Sequence, residues 1–420
     1  MTGSVDVALG DGRVEGTCDP RFESVLDAFV ANFRERHEGG ASLCIRVEGE
    51  IVVDLWGGSG NAGGLPWHRN SIGIVFSATK GATALCAHIL ASRGEIDLDA
   101  PVTRYWPEYG RNGKAGTTVA MLLDHSAGVP GFREPLKADA VTDWEYMVQR
   151  LEQEEPWWEP GSRNGYHLIN IGWTVGELVR RVSGQSLGRF FAAEVAGPLS
   201  LDFWIGLPEE KEADVIPVEP YIPGQHWTYL DDPLPKLISA QPDHPAAVAA
   251  MNLGGFMHID LAKGEFGPNM RHIHAAEIGG AGGITNARGL AGMYCPLANG
   301  GGGLVSPDHV VRMGRTAMVS HKDPILQIPT RFALGFMKGV DNRPVWGSDY
   351  QSCILGDRAF GHVGAGGSIG FADPDCGLAF GYTMNRMGPG VLLNPRGQSL
   401  VDATYRTLGY RSNAGGVWAR

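Results

Sequence analysis

The segment Phe76-Ser77-Ala78-Thr79-Lys80-Gly81 carries a hydroxyl and an amine three residues apart. On a helix, residues i and i+3 share a face about one turn apart, so Lys80 can touch the Ser77 hydroxyl. Lys80 is also the only formally charged side chain between Arg69 and Arg93, set among Ile72, Ile74, Val75, Phe76, Leu85, Ile89 and Leu90. Burying an ammonium is costly, so its pKa should fall from the usual ~10.4. A desolvated amine of this kind can act as a base toward serine. A serine in the first helical turn gains further from the positive end of the helix, which favours a developing alkoxide. The spacing alone is a weak signal, and the bland alternative is a lysine that reaches out to solvent.

Two later segments offer compatible chemistry. Trp157-Trp158-Glu159-Pro160-Gly161 precedes Asn164-Gly165-Tyr166-His167-Leu168. This puts Tyr166 on a turn held by Gly161 and Gly165, ahead of a helix beginning near Ile169. A phenol at that corner can shuttle a proton if the lysine lowers its pKa; alone, it reads as a core tyrosine with a satisfied hydroxyl. Gly361-His362-Val363-Gly364-Ala365-Gly366-Gly367-Ser368 is a glycine-rich strand that lets a substrate approach and can offer a main-chain N–H to an oxyanion. Trp144, Trp157, Trp158, Trp204 and Trp227 supply aromatic surface for an apolar acyl or alcohol group, with Trp158 the expected substrate contact.

Rival sites are weaker. Gly366-Gly367-Ser368-Ile369-Gly370 fits the G-x-S-x-G nucleophile elbow, but that motif needs a downstream histidine and none follows Ser368. His272-Ile273-His274 with Glu277 lacks a firm third ligand for a metal. His125 sits in Asp124-His125-Ser126, read as a structural turn.

The elements that must position these groups follow from periodicity. Residues 22–38 have helical apolar spacing, and two strands, Ser42 to Glu48 and Ile51 to Trp56, form a hairpin turning at Glu48-Gly49-Glu50. A helix is expected from near Ser77 to before Gly94. Residues 117 to about 205 read as mainly helical, most clearly Leu168 to Val182. Residues 208–245 hold eight prolines and no long helix, and with Tyr221, Trp227 and Tyr229 they could wall or cover a pocket. Strands return at Phe332 to Phe336, at His362 and at Gly377 to Asn385, before a closing helix from Gln398 to Leu408. Residues 412–420 read as a loose tail. Strands at both chain ends with helices between them imply an α/β (α+β) fold: an antiparallel sheet from residues 1–110 and 275–420, flanked by helices, and an inserted mainly helical domain at 111–274.

Bulk properties exclude several classes. The 420-residue chain has a net charge of −11 and no basic block, so nucleic acid and anionic membranes are not expected partners. The N-terminal residues show no basic segment followed by an apolar run, and six scattered cysteines form no C-x-x-C pair, so free thiols in a reducing cytoplasm are expected. The apolar stretch 71–92 carries Lys80 near its centre and reads as a core helix rather than a membrane span.

Taken together, Ser77-x-x-Lys80, Tyr166 within Trp-x-Pro-Gly-x-x-x-x-Tyr-His, and His362-x-Gly364 resemble the three motifs of class C β-lactamases, D,D-peptidases and family VIII carboxylesterases. The stretches Leu122 to Pro130 and Gly282 to Ala291 resemble the same family, and the likeness spans roughly residues 25 to 410. It departs from the lactamase pattern twice: Leu168 stands where Tyr-x-Asn has its amide, and His362-Val363-Gly364 replaces Lys-Thr-Gly. The resemblance implies a serine hydrolase of the β-lactamase-like fold, closest to the carboxylesterases, with Ser77 as nucleophile and Lys80 and Tyr166 as its activators. It also implies an oxyanion hole from the main chain of Ser77 and Ala365, with Gly364 and His362 beside it. No metal or organic cofactor is required, and the expected partner is a small-molecule ester. Amide hydrolysis, as in a β-lactamase or D-aminopeptidase, acyl transfer on the same scaffold, or a non-catalytic penicillin-binding-like sensor are the alternatives. The oligomeric state stays open.

Overall fold

A computed structural model of the protein describes residues 2–60, 65–222, 224–225, 233–260, 262–346 and 351–420. Its centre is an antiparallel sheet of ten strands. Four come from the N-terminal part: β1 (Gly3–Ala8), β2 (Arg13–Cys18), β3 (Gly40–Val47) and β4 (Glu50–Gly58). Six come from the C-terminal part: β5 (Met318–Ser320), β6 (Thr330–Phe332), β7 (Met337–Lys338), β8 (Phe360–Val363), β9 (Ile369–Asp373) and β10 (Leu378–Met384). The order across the sheet is β1-β2-β4-β3-β10-β9-β8-β7-β6-β5. The two halves meet at β3 and β10, in a register running from Val47 opposite Leu378 to Ala41 opposite Met384.

Every residue of β8, β9 and β10 is buried, because both faces of the sheet are covered. On one face lie α1 (Glu23–Glu35) and the closing helix Pro395–Thr407, whose Val25, Phe29, Leu400 and Tyr405 share a core with Phe371 and Phe380. On the other lies the helix Ala287–Ala298, close enough that a Cβ on Gly381 would stand 2.2 Å from the Ala287 carbonyl. Helix α2 (Thr79–Ser92) is buried nearly all round and packs against the helices Ile171–Ser183 and Leu187–Phe191. That explains its uninterrupted apolar sequence, since it has no solvent face to make polar.

Several expectations are corrected. The hairpin β1–β2 at the sheet edge was not expected; with one face exposed, its apolar alternation reduces to Val5 and Val14. Phe332 to Phe336 is a turn and not one strand: Ala333 N–H donates to the Phe336 carbonyl at 2.8 Å, Gly335 has φ +83°, and β6 pairs back on β7. Residues 124–143 and 154–170 are largely turns between short helices rather than continuous helix. The C-terminal tail is pinned, with Trp418 buried, stacked on Tyr405 at 5.8 Å and donating to Asp402 at 3.1 Å. Within the proline-rich segment, Pro233–Ala240 forms an eight-residue helix. Tyr221 packs on the core, while Trp227 and Tyr229 lie outside the described residues. None of the described helices is long and apolar enough to cross a membrane, and all six cysteines are unpaired.

Candidate active site

Ser77 lies in a 3-10 turn, Phe76–Ala78, that leads directly into α2. Phe76 takes φ +46°, a left-handed conformation that non-glycine residues rarely adopt and that costs about 1–3 kcal/mol. The Thr79 hydroxyl braces this turn, donating to the Phe76 carbonyl at 2.6 Å and accepting from Gly283 N–H at 2.8 Å. One turn on, Lys80 is fully buried and does not reach solvent. Its Nζ donates to Ser77 Oγ at 3.0 Å, to the Leu168 carbonyl at 2.6 Å and to the Gly280 carbonyl at 2.7 Å. Among the described residues no carboxylate pairs with it, and burial drives its pKa well below the ordinary lysine value.

Tyr166 reaches the same point from the turn ahead of the helix Ile171–Ser183, with its phenol close enough for Ser77 to draw its pKa down. The Lys80 Nζ stands 4.8 Å from the centre of the tyrosine ring. The ring is wedged by Phe332, stacked at 5.8 Å, by His125 at 4.9 Å and by His362 at 6.0 Å. The expectation that lysine lowers the phenol pKa is not met: burial raises it, and the nearby Ser77 only partly offsets this. Tyr166 therefore rests as a neutral phenol. Its main-chain N–H is held by the Asp323 carboxylate at 3.0 Å, an anchor whose one local signal, the Asp323-Pro324 step, went unread.

The three neighbouring histidines are neutral as well. Burial, reinforced by Lys80, pushes His362 down to about 3, His167 to about 4 and His125 well below its ordinary value. His167 donates from Nδ1 to the Gly165 carbonyl and accepts at Nε2 from Val129 N–H, which defines its tautomer. His125, at φ +66°, accepts from His167 N–H at Nδ1, in keeping with a structural turn. His362 bonds the Val363 carbonyl through Nδ1 at 2.8 Å, leaving a buried Nε2 with no partner among the described residues.

Gly364 brings the end of β8 against the Ser77 turn. A Cβ there would lie 2.1 Å from the Val75 carbonyl, so only glycine allows this approach. The following turn, which carries Ala365, is clamped at one atom. The Gly366 carbonyl accepts from Asn394 Nδ2 at 2.9 Å, Gly388 N–H at 3.0 Å and Arg396 Nη2 at 3.4 Å. Arg396 is itself fixed by a fully buried ion pair with Glu38 at 2.7 Å, and Tyr382 hydrogen-bonds the same carboxylate. Neither Asn394 nor Arg396 stood out in sequence, because their partners come from distant segments.

The remaining candidates separate from this cluster. Trp158 is buried behind the Tyr166 turn, donating to the Ser126 carbonyl at 3.2 Å and packing on His167. Ser368 is fully buried in the hairpin turn between β8 and β9, followed by a strand where an elbow needs a helix. His274 is occupied by Glu212 and the Pro268 carbonyl, Glu277 by Ser186 and Gly188, and no metal-binding group occurs among the described residues.

A two-sided antiparallel sheet with a buried lysine one turn beyond a serine, at the mouth of a glycine strand, has the architecture of the β-lactamase-like hydrolases. The chain belongs to the beta-lactamase family: the family model matches residues 23–403. It is 36% identical over 390 residues to the Esterase/beta-lactamase LipL of Mycobacterium tuberculosis (strain ATCC 25618 / H37Rv), covering 89% of this chain and 83% of that protein. A crystal structure of a family VIII carboxylesterase superposes with TM-score 0.79 at 36% identity, covering 94% of this chain and 99% of the other. EstA from Arthrobacter nitroguajacolicus Rue61a gives TM-score 0.77 at 29% identity, with 93% and 98% covered. The protein is thus a hydrolase of the esterase and beta-lactamase fold.

Proposed function

We propose that the protein is a serine carboxylesterase that works through an acyl-enzyme on Ser77. The observation that carries this is the Lys80 amine, desolvated, without a carboxylate partner and 3.0 Å from Ser77 Oγ. In its neutral form the amine takes the serine proton as Oγ attacks the ester carbonyl. Main-chain N–H groups of Ser77 and Ala365 then stabilise the oxyanion, with the Ala365 turn held by the clamp on the Gly366 carbonyl. As the carbon–oxygen bond of the ester breaks, the Tyr166 phenol gives its proton to the leaving alcohol, and the Lys80 ammonium restores the phenol. Water, deprotonated by the same pair, then cleaves the acyl-enzyme and frees the acid. The His362 Nε2 acceptor positions substrate beside Tyr166, and Gly364 keeps the strand within reach of Ser77.

Esters are preferred to amides because residue 168 presents only its carbonyl, spent on Lys80, and has no side-chain amide to grip an acylamino group. The relatives named for ester hydrolysis support the same choice, as do the unpaired thiols for a reducing cytoplasmic setting. A β-lactam substrate is the second reading, since the Mycobacterium tuberculosis relative carries both names. The test is a panel of p-nitrophenyl esters of graded acyl length beside nitrocefin, with Ser77→Ala and Ser368→Ala. Ester turnover lost only in Ser77→Ala is the expected result. Turnover lost in Ser368→Ala instead rejects the assignment, and nitrocefin turnover equal to that of esters shifts it to the lactamase.

A further inference from the structure

A pocket of about 360 Å³ opens between β6, β7, the turn before β8 and the helix Pro307–Gly314. Arg315, Arg331, Lys338 and Arg358 line it, with Asp357 as the single carboxylate in its wall. In a chain of net charge −11, four cations converging on one cavity run against the overall balance.

Lys338 makes the arrangement more than a surface patch. Its residue is only 4% exposed, it lines the cavity, and it makes no ion pair among the described residues. Burial, Arg331 and Arg358 press its pKa down to about 8, against the pull of Asp357 and Asp373, so it remains mostly charged at neutral pH. The carboxylates nearby are otherwise engaged. Asp373 accepts from the Tyr405 hydroxyl at 2.7 Å and from Asp375 N–H at 3.0 Å. Asp357 lies 4.0 Å from Arg331, and Arg358 is drawn to Asp375 at 3.1 Å. Arg331 is held in place by the Gly339 carbonyl at 3.1 Å and Thr316 Oγ1 at 3.4 Å. A buried cation with no counter-charge in contact lowers stability unless an anion completes it.

We infer that this pocket binds a phosphate group, with Lys338 at its floor and Arg315, Arg331 and Arg358 around it. With Arg331 and Arg358 each facing a carboxylate, Arg315 and Lys338 make no ion pair among the described residues and remain to meet a phosphate dianion. Guanidinium forks and an ammonium together can satisfy the several oxygens of a phosphate. The volume exceeds that of the bare ion, and Phe360 gives an apolar wall for the organic part of a phosphate monoester.

Thermal unfolding of the full chain at constant ionic strength tests this, with inorganic phosphate, phenyl phosphate and benzoate as probes against chloride. Phosphate at a hundred times its Kd should raise the midpoint by about 3 °C, and Ser77→Ala should respond as the wild type does. A tighter response to phenyl phosphate identifies a monoester, an equal one the free ion. Lys338→Met should abolish the shift and, without phosphate, melt no lower than wild type, because it removes an unpaired buried charge. Arg358→Gln, at the exposed rim, should weaken phosphate at least threefold and serves if Lys338→Met does not fold. No shift beyond chloride, a benzoate response equal to that of phosphate, or an unchanged response in either variant overturns the site.

Discussion

The main-chain N–H of Tyr166 points into the carboxylate of Asp323, 157 residues away, at 3.0 and 3.2 Å from its two oxygens. The same carboxylate accepts from the N–H groups of Ile325 and Leu326 and from the Thr330 hydroxyl. It therefore ties the turn carrying the phenol to the loop that leads into β6. Burial raises its pKa from 3.8 to about 6. A folded-state pKa above the unfolded one means the native state binds the proton more tightly. The associated stability is fully present below pH 3.8 and is lost as pH rises through about 6. That interval corresponds to about 3 kcal/mol. Asp323→Asn cannot titrate. Urea unfolding should show wild type gaining about 2 kcal/mol relative to the variant between pH 7 and pH 4. A difference that stays flat with pH contradicts the assignment.

Tyr166→Phe removes one hydroxyl and leaves the stacking on Phe332 and His125 intact. Ester kcat should fall about 10²–10⁴-fold, the range for a lost proton-transfer group. The change in midpoint should stay within about 2 °C. Retained turnover would remove the phenol from the proton path.

Lys80→Met deletes the amine at similar length. Turnover and fluorophosphonate labelling of Ser77 should both drop at least about 10³-fold. In the wild type, labelling should rise with pH and level off well below 10.5, because a desolvated amine loses its proton early. The variant should lack this rise. A wild-type pH profile in Lys80→Met would show that another group accepts the proton.

Gly364→Ala places a methyl group where the Val75 carbonyl stands. Either β8 or the Ser77 turn must yield, at about 1–3 kcal/mol. Lower thermal stability together with a kcat loss exceeding any change in KM is expected. Normal kinetics would mean that the spacing of strand and turn is unimportant.

Residues whose chemistry shows in a local pattern were the ones legible beforehand. Ser77 and Lys80 stood out by type, spacing and apolar surroundings, and the hairpin β3–β4 by alternation around Gly49. What was hidden was carried by the main chain, or by side chains such as Asp323, Asn394 and Arg396 whose partners lie far off in sequence. The acceptors that hold Lys80 are the carbonyls of Leu168 and Gly280, which any residue would supply. The five apolar residues Phe332 to Phe336 mimic a strand because their turn is buried, with Gly335 pressed on Ala84 of α2. Trp418 was read as tail because its partners, Tyr405 and Asp402, lie on a helix whose packing no local pattern announces.

The pairing of β3 with β10 has a consequence for biosynthesis. Strand β3 leaves the ribosome more than three hundred residues ahead of its neighbour, so one edge of the N-terminal hairpin stays open through most of translation. Loop closure over that distance makes a slow, late folding step. Nonsense products ending before Met384 should accordingly be insoluble rather than partly active, however complete their serine and lysine segment.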